Sequence, residues 1–509
     1  MDKPVHLEVM THGVKITHLT KTYRTELSQF MKGLELEGEE PVFNPRTRMT
    51  EIKMVIKKKF FTRSVSGDSL YIHKHMLGQF KQALMHANIP FEEAVRPIPV
   101  GTDVNITLNK DKSPRDYQQA IIDYTMEMKR HGVNITLNPG AGKTFTALNI
   151  VELLHKRLLV MIPPKYFGLW YEAFDDILNL GYTVEEISGS KALKDLNQRI
   201  LNNGTVADIV LMSNVTYRTY IENWERFSEE DDWLDRTGYL IEPDRFHEHG
   251  GFGIQINDEI QDDPGLVFKI DTVTHVPLQL YLSATPYTGN DKLTQMINVM
   301  MPECNNAPLP DNDVYANVIA LLYNDTVQPY DYLGFKRAYS QIKYESGLMK
   351  SKSRMQRYLD MITKVVQVRY VRDQKEGQRM LLFFATVAFI EKVAKHLKKT
   401  FPQYNINAYV AGVPYETLLT SDISVTTLKS GGTGVDVRNV KEIFCGHATD
   451  SKRDSIQLLG RARRLKDFPE IAPCLTYSVC MQIPQHLRYM RSKEEYFRGR
   501  VLTHKRMRL

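Results

Sequence analysis

The chain has 509 residues, 42% hydrophobic and 25% charged, which is ordinary for a globular protein with room for two or three domains. No run of about eighteen apolar residues occurs, so a membrane-spanning helix is not expected. The net charge is only +6 but unevenly spread: residues 45–81 hold nine Lys/Arg against Glu51 and Asp68, residues 488–509 hold eight against Glu494 and Glu495, and residues 221–250 hold ten acids against three arginines. Basic clusters suit a phosphate backbone, although a solvated charged face reads the same way.

In chain order, residues 1–108 predict a small α+β region. Short strands are expected at His6–Val9, Val14–Leu19 and Thr50–Ile56, and a helix at Lys74–Ala87. Two prolines and a glycine in Pro97–Gly101 predict a linker. Residues 109–310 then alternate apolar runs with helical segments, the runs being Val133–Leu137, Arg157–Ile162, Asp208–Met212, Phe252–Asn257 and Leu278–Leu282. Such alternation predicts a parallel sheet covered by helices on both faces. Residues 311–509 repeat the scheme, with runs at Met380–Ala385, Ile406–Val410, Ile423–Leu428, Glu442–Gly446 and Cys474–Val479. The fold class is therefore α/β, two tandem parallel-sheet lobes after a small α+β domain. The acidic stretch 221–250 reads as a surface insertion in the first lobe, and Gly347–Val371 reads as helical.

Four cysteines, Cys304, Cys445, Cys474 and Cys480, form no close pair, so metal ligation by thiolates is not expected. The opening Met1–His6 lacks the apolar core of a secretion signal, and a cytoplasmic location is expected.

Leu137-Asn138-Pro139-Gly140-Ala141-Gly142-Lys143-Thr144 follows an apolar strand and precedes a helical run, the context a phosphate-binding loop requires. Gly140, Ala141 and Gly142 would bring backbone N–H groups to the phosphates at a helix N-terminus. Lys143 would reach the β- and γ-phosphates and Thr144 would hold Mg²⁺. Leu137 stands where the strict pattern has a glycine. Asp258-Glu259-Ile260-Gln261 ends another apolar run, at the edge of a parallel sheet where ligands bind. Asp258 would bind Mg²⁺ and Glu259 would orient and deprotonate a water. Ser283-Ala284-Thr285 follows a further strand, where small hydroxyl residues would sense the acidic box. Arg115, Tyr117 and Gln118 precede the first helix of the lobe; Tyr117 would stack on adenine and Gln118 would read its edge, although an ordinary helix start looks similar. In the second lobe, Lys429–Asp436 is glycine-rich, and Gln457, Arg461 and Arg464 are spaced to share one helical face. Two arginines there suit an arginine finger.

The order Gln118, Gly142-Lys143-Thr144, Asp258–Gln261, Ser283–Thr285, Gly434-Val435-Asp436 and Gln457…Arg461…Arg464 resembles the motif series of superfamily-two helicases. The resemblance covers about residues 113–480 and implies two RecA-like lobes, ATP with Mg²⁺ as cofactors, and nucleic acid running across the lobes. It implies catalytic roles for Lys143, Glu259, Gln261, Arg461 and Arg464, and nucleotide-binding roles for Gly434, Asp436 and Gln457. It further implies backbone contacts by Pro164, Lys165, Ser213, Thr216, Thr386, Thr427 and Thr433, through groups that grip phosphates without reading sequence. The segment Phe43-Asn44-Pro45-Arg46-Thr47-Arg48 resembles the small basic domain of the UvsW-type, phage branch-migration helicases, which implies DNA binding by Arg46 and Arg48. Met49–Lys53 departs from that family's continuation, and Gln261 stands where histidine is commoner. The expected function is an ATP-dependent DNA helicase or translocase acting on forks and Holliday-type junctions in recombination, repair or replication. A monomer with replication or recombination proteins as partners is expected, in the cytoplasm of a host cell if phage-encoded. An RNA helicase, or a nucleotide-gated duplex clamp that does not travel, remains open.

Overall fold

In the computed structural model, all residues are described except 1–2, 45–48, 110, 128–129, 139, 228–237, 285–290, 309–313, 335–336 and 429–436; for 36–44, 49–58 and 291–292 only the backbone is described. The chain divides into two compact units, 1–137 with 141–309 and 138–140 with 310–509.

The first unit contains a six-stranded sheet. Its spatial order is Val184–Ile187, Ile209–Ser213, Leu158–Ile162, Ile254–Asn257, Leu278–Ser283 and Gly132–Thr136. Every neighbouring pair is parallel. The inner strands read as continuous apolar runs because helices cover both faces, and Leu158–Ile162 and Ile209–Ser213 are buried at every position. The strands that end in the phosphate loop, the acidic box and Ser283 lie side by side, so their carboxyl ends form one edge. This is a RecA-like lobe.

The second unit holds a seven-stranded sheet, also parallel throughout: Ile406–Tyr409, Ile423–Thr427, Arg379–Phe384, Val440–Cys445, Cys474–Cys480, Asn317–Tyr323 and Thr503–Arg508. It is the second RecA-like lobe. The helical stretch expected at Gly347–Val371 is two helices, Gln341–Lys350 and Lys352–Arg369; the hydroxyl of Ser351 accepts from the Arg354 amide and caps the second. Cys445, Cys474 and Cys480 are free and buried, and Cys304 is free and exposed.

The N-terminal residues build a five-stranded mixed sheet, in which Val5–Val9 runs parallel to Phe91–Val95 and the other pairs are antiparallel. The core of this sheet is continuous with the first lobe. Val5, Leu7, Ile16, Phe61 and Phe80 share one buried set with Ile260, Phe268, Tyr281 and Met300. At Gly13 a Cβ would stand 2.0 Å from the Thr272 carbonyl oxygen, so only glycine lets the two backbones come this close. A separate two-stranded ribbon pairs Glu35–Asn44 with Met49–Lys59. Its register sets Glu40 opposite Lys53 and Glu35 opposite Lys59, so the basic strand lies against an acidic one. Arg46 and Arg48 lie outside the described residues.

The acidic stretch is not simply a surface insertion. Trp224, Tyr239, Ile241 and Phe246 are buried with Tyr71 and strand residues of the lobe. Asp244 is fully buried and receives bonds from the Tyr71 hydroxyl at 2.9 Å and Arg96 Nη2 at 2.7 Å. Arg96 also forms a paired bond with Glu8, at 2.8 and 2.6 Å. Lys15 approaches Glu242 and Asp244 at 2.7 and 3.6 Å. Glu242 and Asp244 are thus counter-charges of the N-terminal residues Lys15 and Arg96. The aromatic residues Trp224 and Tyr239, visible in the sequence beside the acids, carry the stretch inward.

Candidate nucleotide site

The strand Gly132–Thr136 leads into the loop, and the helix Lys143–Leu154 leaves it. Gly140 and Gly142 have φ of +82° and +83°, a left-handed backbone that L side chains rarely adopt. A Cβ on Gly142 would also lie 2.4 Å from Gln118 Nε2. That crowding arises because Gln118 braces the loop: its Nε2 donates to the Ala141 carbonyl at 3.0 Å, and the Tyr117 hydroxyl donates to the same oxygen at 2.8 Å. Arg115 Nη1 donates to the Tyr117 hydroxyl at 3.0 Å, and the Arg115 amide donates to Gln118 Oε1 at 2.9 Å. Arg115, Tyr117 and Gln118 are therefore assembled on the loop rather than spread along a free helix face. Lys143 Nζ donates to the Leu137 carbonyl at 3.3 Å, which folds the side chain back over the loop. Thr144 follows it in the first turn of the helix.

Beside the loop, Asp258 accepts from Trp170 Nε1 at 3.1 Å and from the Glu259 amide at 2.8 Å. Loss of solvation, then the neighbouring Glu259 charge, pushes the Asp258 carboxyl up to about 7, while Lys143 pulls it the other way. Glu259 has φ of +51°, a conformation that costs energy in a non-glycine residue and is held by its surroundings. Gln261 is buried; its amide donates to Glu259, and its carbonyl accepts from the Ser283 hydroxyl at 2.6 Å. A bonded line thus runs from the acidic box to the next strand, as the spacing of the two motifs predicts. Thr285 and Pro286 lie outside the described residues.

No ligand position is needed to see that these groups suit nucleotide and Mg²⁺. When ionised, the adjoining Asp258 and Glu259 carboxylates favour a cation beside them, and the positive φ of Gly140 and Gly142 shapes the loop at the start of the Lys143–Leu154 helix.

The residues expected to grip nucleic acid are placed less uniformly. Pro164 opens a turn, Pro164–Tyr166, directly after a strand. Lys165 is exposed, 3.3 Å from Asp262 and 4.4 Å from the centre of the Tyr166 ring. Ser213 and Thr216 are buried and serve the lobe itself: Ser213 Oγ accepts from the Thr216 amide at 3.3 Å, and Thr216 Oγ1 accepts from Gly189 at 2.7 Å. Thr386 is engaged by the buried Glu345, whose carboxylate accepts from its amide at 2.8 Å and its hydroxyl at 2.6 Å. Thr427 ends the strand Ile423–Thr427. Thr433, Gly434 and Asp436 lie outside the described residues.

One expectation about the second lobe is corrected. The helix bearing Gln457 runs from Lys452 to Leu459 and stops at Gly460. The amides of Arg461 and Ala462 turn back to Leu458 and Leu459 carbonyls at 3.1 and 2.9 Å, a tight i→i+3 exit. Arg461 and Arg464 therefore lie on the segment after the helix, and do not share a helical face with Gln457. The Arg464 guanidinium sits 5.5 Å from the centre of the Tyr315 ring.

Trp170, Asp262 and Glu345 were not singled out by the sequence. Trp170 lies 88 residues from its partner Asp258, and no local spacing connects them. Asp262 was within reach, since it directly follows the acidic box and holds the Tyr166 hydroxyl at 2.9 Å.

The family model described as type III restriction enzyme, res subunit, matches residues 111–288. That span contains the loop, the acidic box and Ser283. Residues 111–288 form a superfamily-two helicase lobe. Helicase lobes of this kind use a nucleoside triphosphate, typically with Mg²⁺. No curated protein matches the sequence. Among solved structures, the chain is similar to the helicase domain of Hef from Pyrococcus furiosus, with 15% identity over 75% of this chain and 98% of that one, at a TM-score of 0.45. It is similar to T4 UvsW at 14% identity over 99% and 100% of the two chains, with a TM-score of 0.34. The type ISP restriction-modification enzyme LlaBIII, bound to DNA, has 12% identity over 77% of this chain and 31% of that one, at 0.49. Likenesses this distant add nothing to what the helicase lobe's own strands and motifs establish. No described helix is long and apolar enough to cross a membrane.

Proposed function

We propose that the chain is an ATP-driven DNA helicase or translocase that remodels branched DNA, such as forks and Holliday-type junctions. The observation that carries the motor is the bonded line Glu259–Gln261–Ser283 beside Lys143 and the glycine cradle. Lys143 would neutralise the β- and γ-phosphates, and Thr144 with Asp258 would hold Mg²⁺, which supplies charge neutralisation to the leaving phosphates. Glu259 would orient the attacking water and take its proton. Gln261 would report the state of that carboxylate to Ser283 and so to the strand end. Arg461 and Arg464 keep the role the motif series implies, stabilising charge on the phosphoryl group in flight.

Branched DNA as the substrate rests on the Phe43–Arg48 resemblance and on the ribbon Glu35–Asn44/Met49–Lys59, since a two-stranded ribbon has a width that a duplex groove admits. The deciding experiment is hydrolysis of ATP by the full chain with four-way junction, fork, duplex, single-stranded DNA and structured RNA, read beside displacement of a third strand from a triplex. Stimulation greatest with junction or fork, together with displacement, is the expected result. Greatest stimulation by RNA would replace the substrate, and binding without displacement would replace the motor with a clamp.

A further inference from the structure

A second cavity, of about 300 Å³, lies where the N-terminal sheet meets the first lobe. Its wall carries His12, His73, Lys74, His75, Arg130 and His131. Gly132, which also lines it, begins the strand that feeds the phosphate loop. The cavity therefore sits at the other end of that strand, about 16 Å from Leu137 at ~3.3 Å per residue. It is separate from the nucleotide site.

Two buried imidazoles face this space without a hydrogen-bond partner on one nitrogen. His73 is wholly buried and His12 is 5% exposed, and the unpartnered atom is Nε2 in both. The His75 amide donates to His73 Nδ1 at 3.2 Å, so the ring proton of neutral His73 is on Nε2. That leaves an N–H donor with nothing to bond. His12 Nδ1 is taken up by the Thr11 hydroxyl at 3.1 Å. Burial and the surrounding bases hold both rings well below the ordinary imidazole range, so both are neutral at pH 7. His75 and His131 each direct Nδ1 at a backbone carbonyl, of Val299 at 2.7 Å and Pro277 at 2.8 Å. A carbonyl only accepts, so the proton of each is on Nδ1 and Nε2 is an acceptor. Arg130 is anchored by Asn305 Oδ1 at 3.1 Å, and burial lowers the Lys74 ammonium. The carboxylate of Asp271 stands 3.9 Å from His73 Nε2, but it accepts from the Tyr281 hydroxyl and the Gln279 amide, both at 2.6 Å. The cavity is thus lined by the Lys74 and Arg130 cations and the His73 Nε2–H donor, and its nearby acid is bonded elsewhere. A buried donor left unmet is unfavourable, so an acceptor that fills the space is favoured.

We propose that this cavity binds a small phosphate-bearing ligand, held by His73 Nε2–H at its floor and by Lys74 and Arg130 at its wall, with His12 beside it. The donors lie too deep for the backbone of a duplex, which favours a small molecule over DNA. The ligand would bridge the N-terminal sheet, through His73 and Lys74, to the lobe, through Arg130.

The test is calorimetric titration of the full chain with inorganic phosphate. With the nucleotide site kept saturated by ADP and Mg²⁺, binding is expected to weaken at least tenfold in the double variant Lys74→Met, Arg130→Gln. Binding that is absent, or that survives the double variant, would overturn the proposal. If the double variant shows no cooperative thermal transition, Arg130→Gln alone, at a half-buried position, replaces it, with at least threefold weakening expected and no change overturning the proposal. Loss of duplex-DNA binding in the double variant, with the phosphate isotherm unaltered, would transfer the surface to nucleic acid and sink the small-ligand reading.

Discussion

Ser283 holds Gln261 by a 2.6 Å hydrogen bond from its hydroxyl to the side-chain carbonyl, and the amide of the same side chain reaches Glu259. The buried glutamine thus has both ends committed, one to a neighbouring strand and one to the carboxylate proposed as the base. Changing Ser283 to alanine leaves a buried carbonyl short of its donor but leaves Lys143 and Asp258 untouched. We expect nucleotide affinity within about twofold of the parent and nucleic-acid-stimulated hydrolysis lower by about tenfold, equivalent to ~1.4 kcal/mol in the barrier. Steady-state kinetics with a fixed DNA effector measure both; a loss confined to KM would disprove the link.

Lys143→Ala removes the positive charge from the loop while preserving its backbone. Turnover should fall by about a hundredfold or more, on the scale set by deleting one preorganised charge-stabilising group. Binding to junction DNA, read by fluorescence anisotropy, should persist. Retained hydrolysis would remove the site from this loop.

Asp258 gives a pH signature in the absence of nucleotide. Its folded-state value of about 7 is raised above the ordinary carboxylate range, so the folded protein keeps a proton that the unfolded chain has lost. This stabilising contribution is complete below about pH 4 and is lost as the pH rises through about 7. Asp258→Asn keeps the shape without the charge, so it should raise Tm at pH 8 and change it little at pH 4. Equal shifts at both pH values would show that Asp258 is not desolvated in the folded chain. Because Mg²⁺ needs the ionised form, Mg²⁺-dependent nucleotide binding should also weaken below pH 7 in the parent.

Arg96 tests the buried charge network. It is 5% exposed and bonds to both Glu8 and the fully buried Asp244. Removing it in Arg96→Ala strands Asp244, whose proton affinity is held down to about 2 despite its burial, with the Lys15 and Arg96 charges responsible. Stability of the first unit should drop by about 3–5 kcal/mol, the usual cost of breaking a buried pair from one side. Denaturant melts report this; a change under ~1 kcal/mol would mean that water or Lys15 compensates.

Much of the lobe architecture was legible because buried parallel strands are written as uninterrupted apolar runs. Leu158–Ile162 and Cys474–Cys480 lie within a residue of their expected limits. Three strands escaped for different reasons. Val184–Ile187 reads Val-Glu-Glu-Ile and sits at a sheet edge, where one side meets solvent. Thr503–Arg508 is an edge strand of mainly basic residues and was read as a charged cluster. Asn317–Tyr323 is plainly apolar and was simply passed over. In the site, the spacing of Asp258, Gln261 and Ser283 anticipated neighbours that the strand order makes adjacent. Trp170 was invisible, because its bond to Asp258 depends on a helix and a strand meeting in space. The end of the Gln457 helix at Leu459 is signalled by Gly460, a residue that commonly stops a helix.

The interleaved core of Leu7, Phe61 and Phe80 with Phe268, Tyr281 and Met300 has a consequence for how the chain can be divided. A fragment beginning near residue 109 would carry the whole phosphate loop and acidic box, yet would open a raw aromatic and methionine face to water. It should precipitate or recruit chaperones rather than behave as a minimal motor. Grafting residues 1–108, about a fifth of the chain, onto another lobe should fail for the same reason, since Ile260, Phe268, Tyr281 and Met300 complete their interior. In breeding new specificities from this scaffold, the inheritable piece is residues 1–309, carried as one.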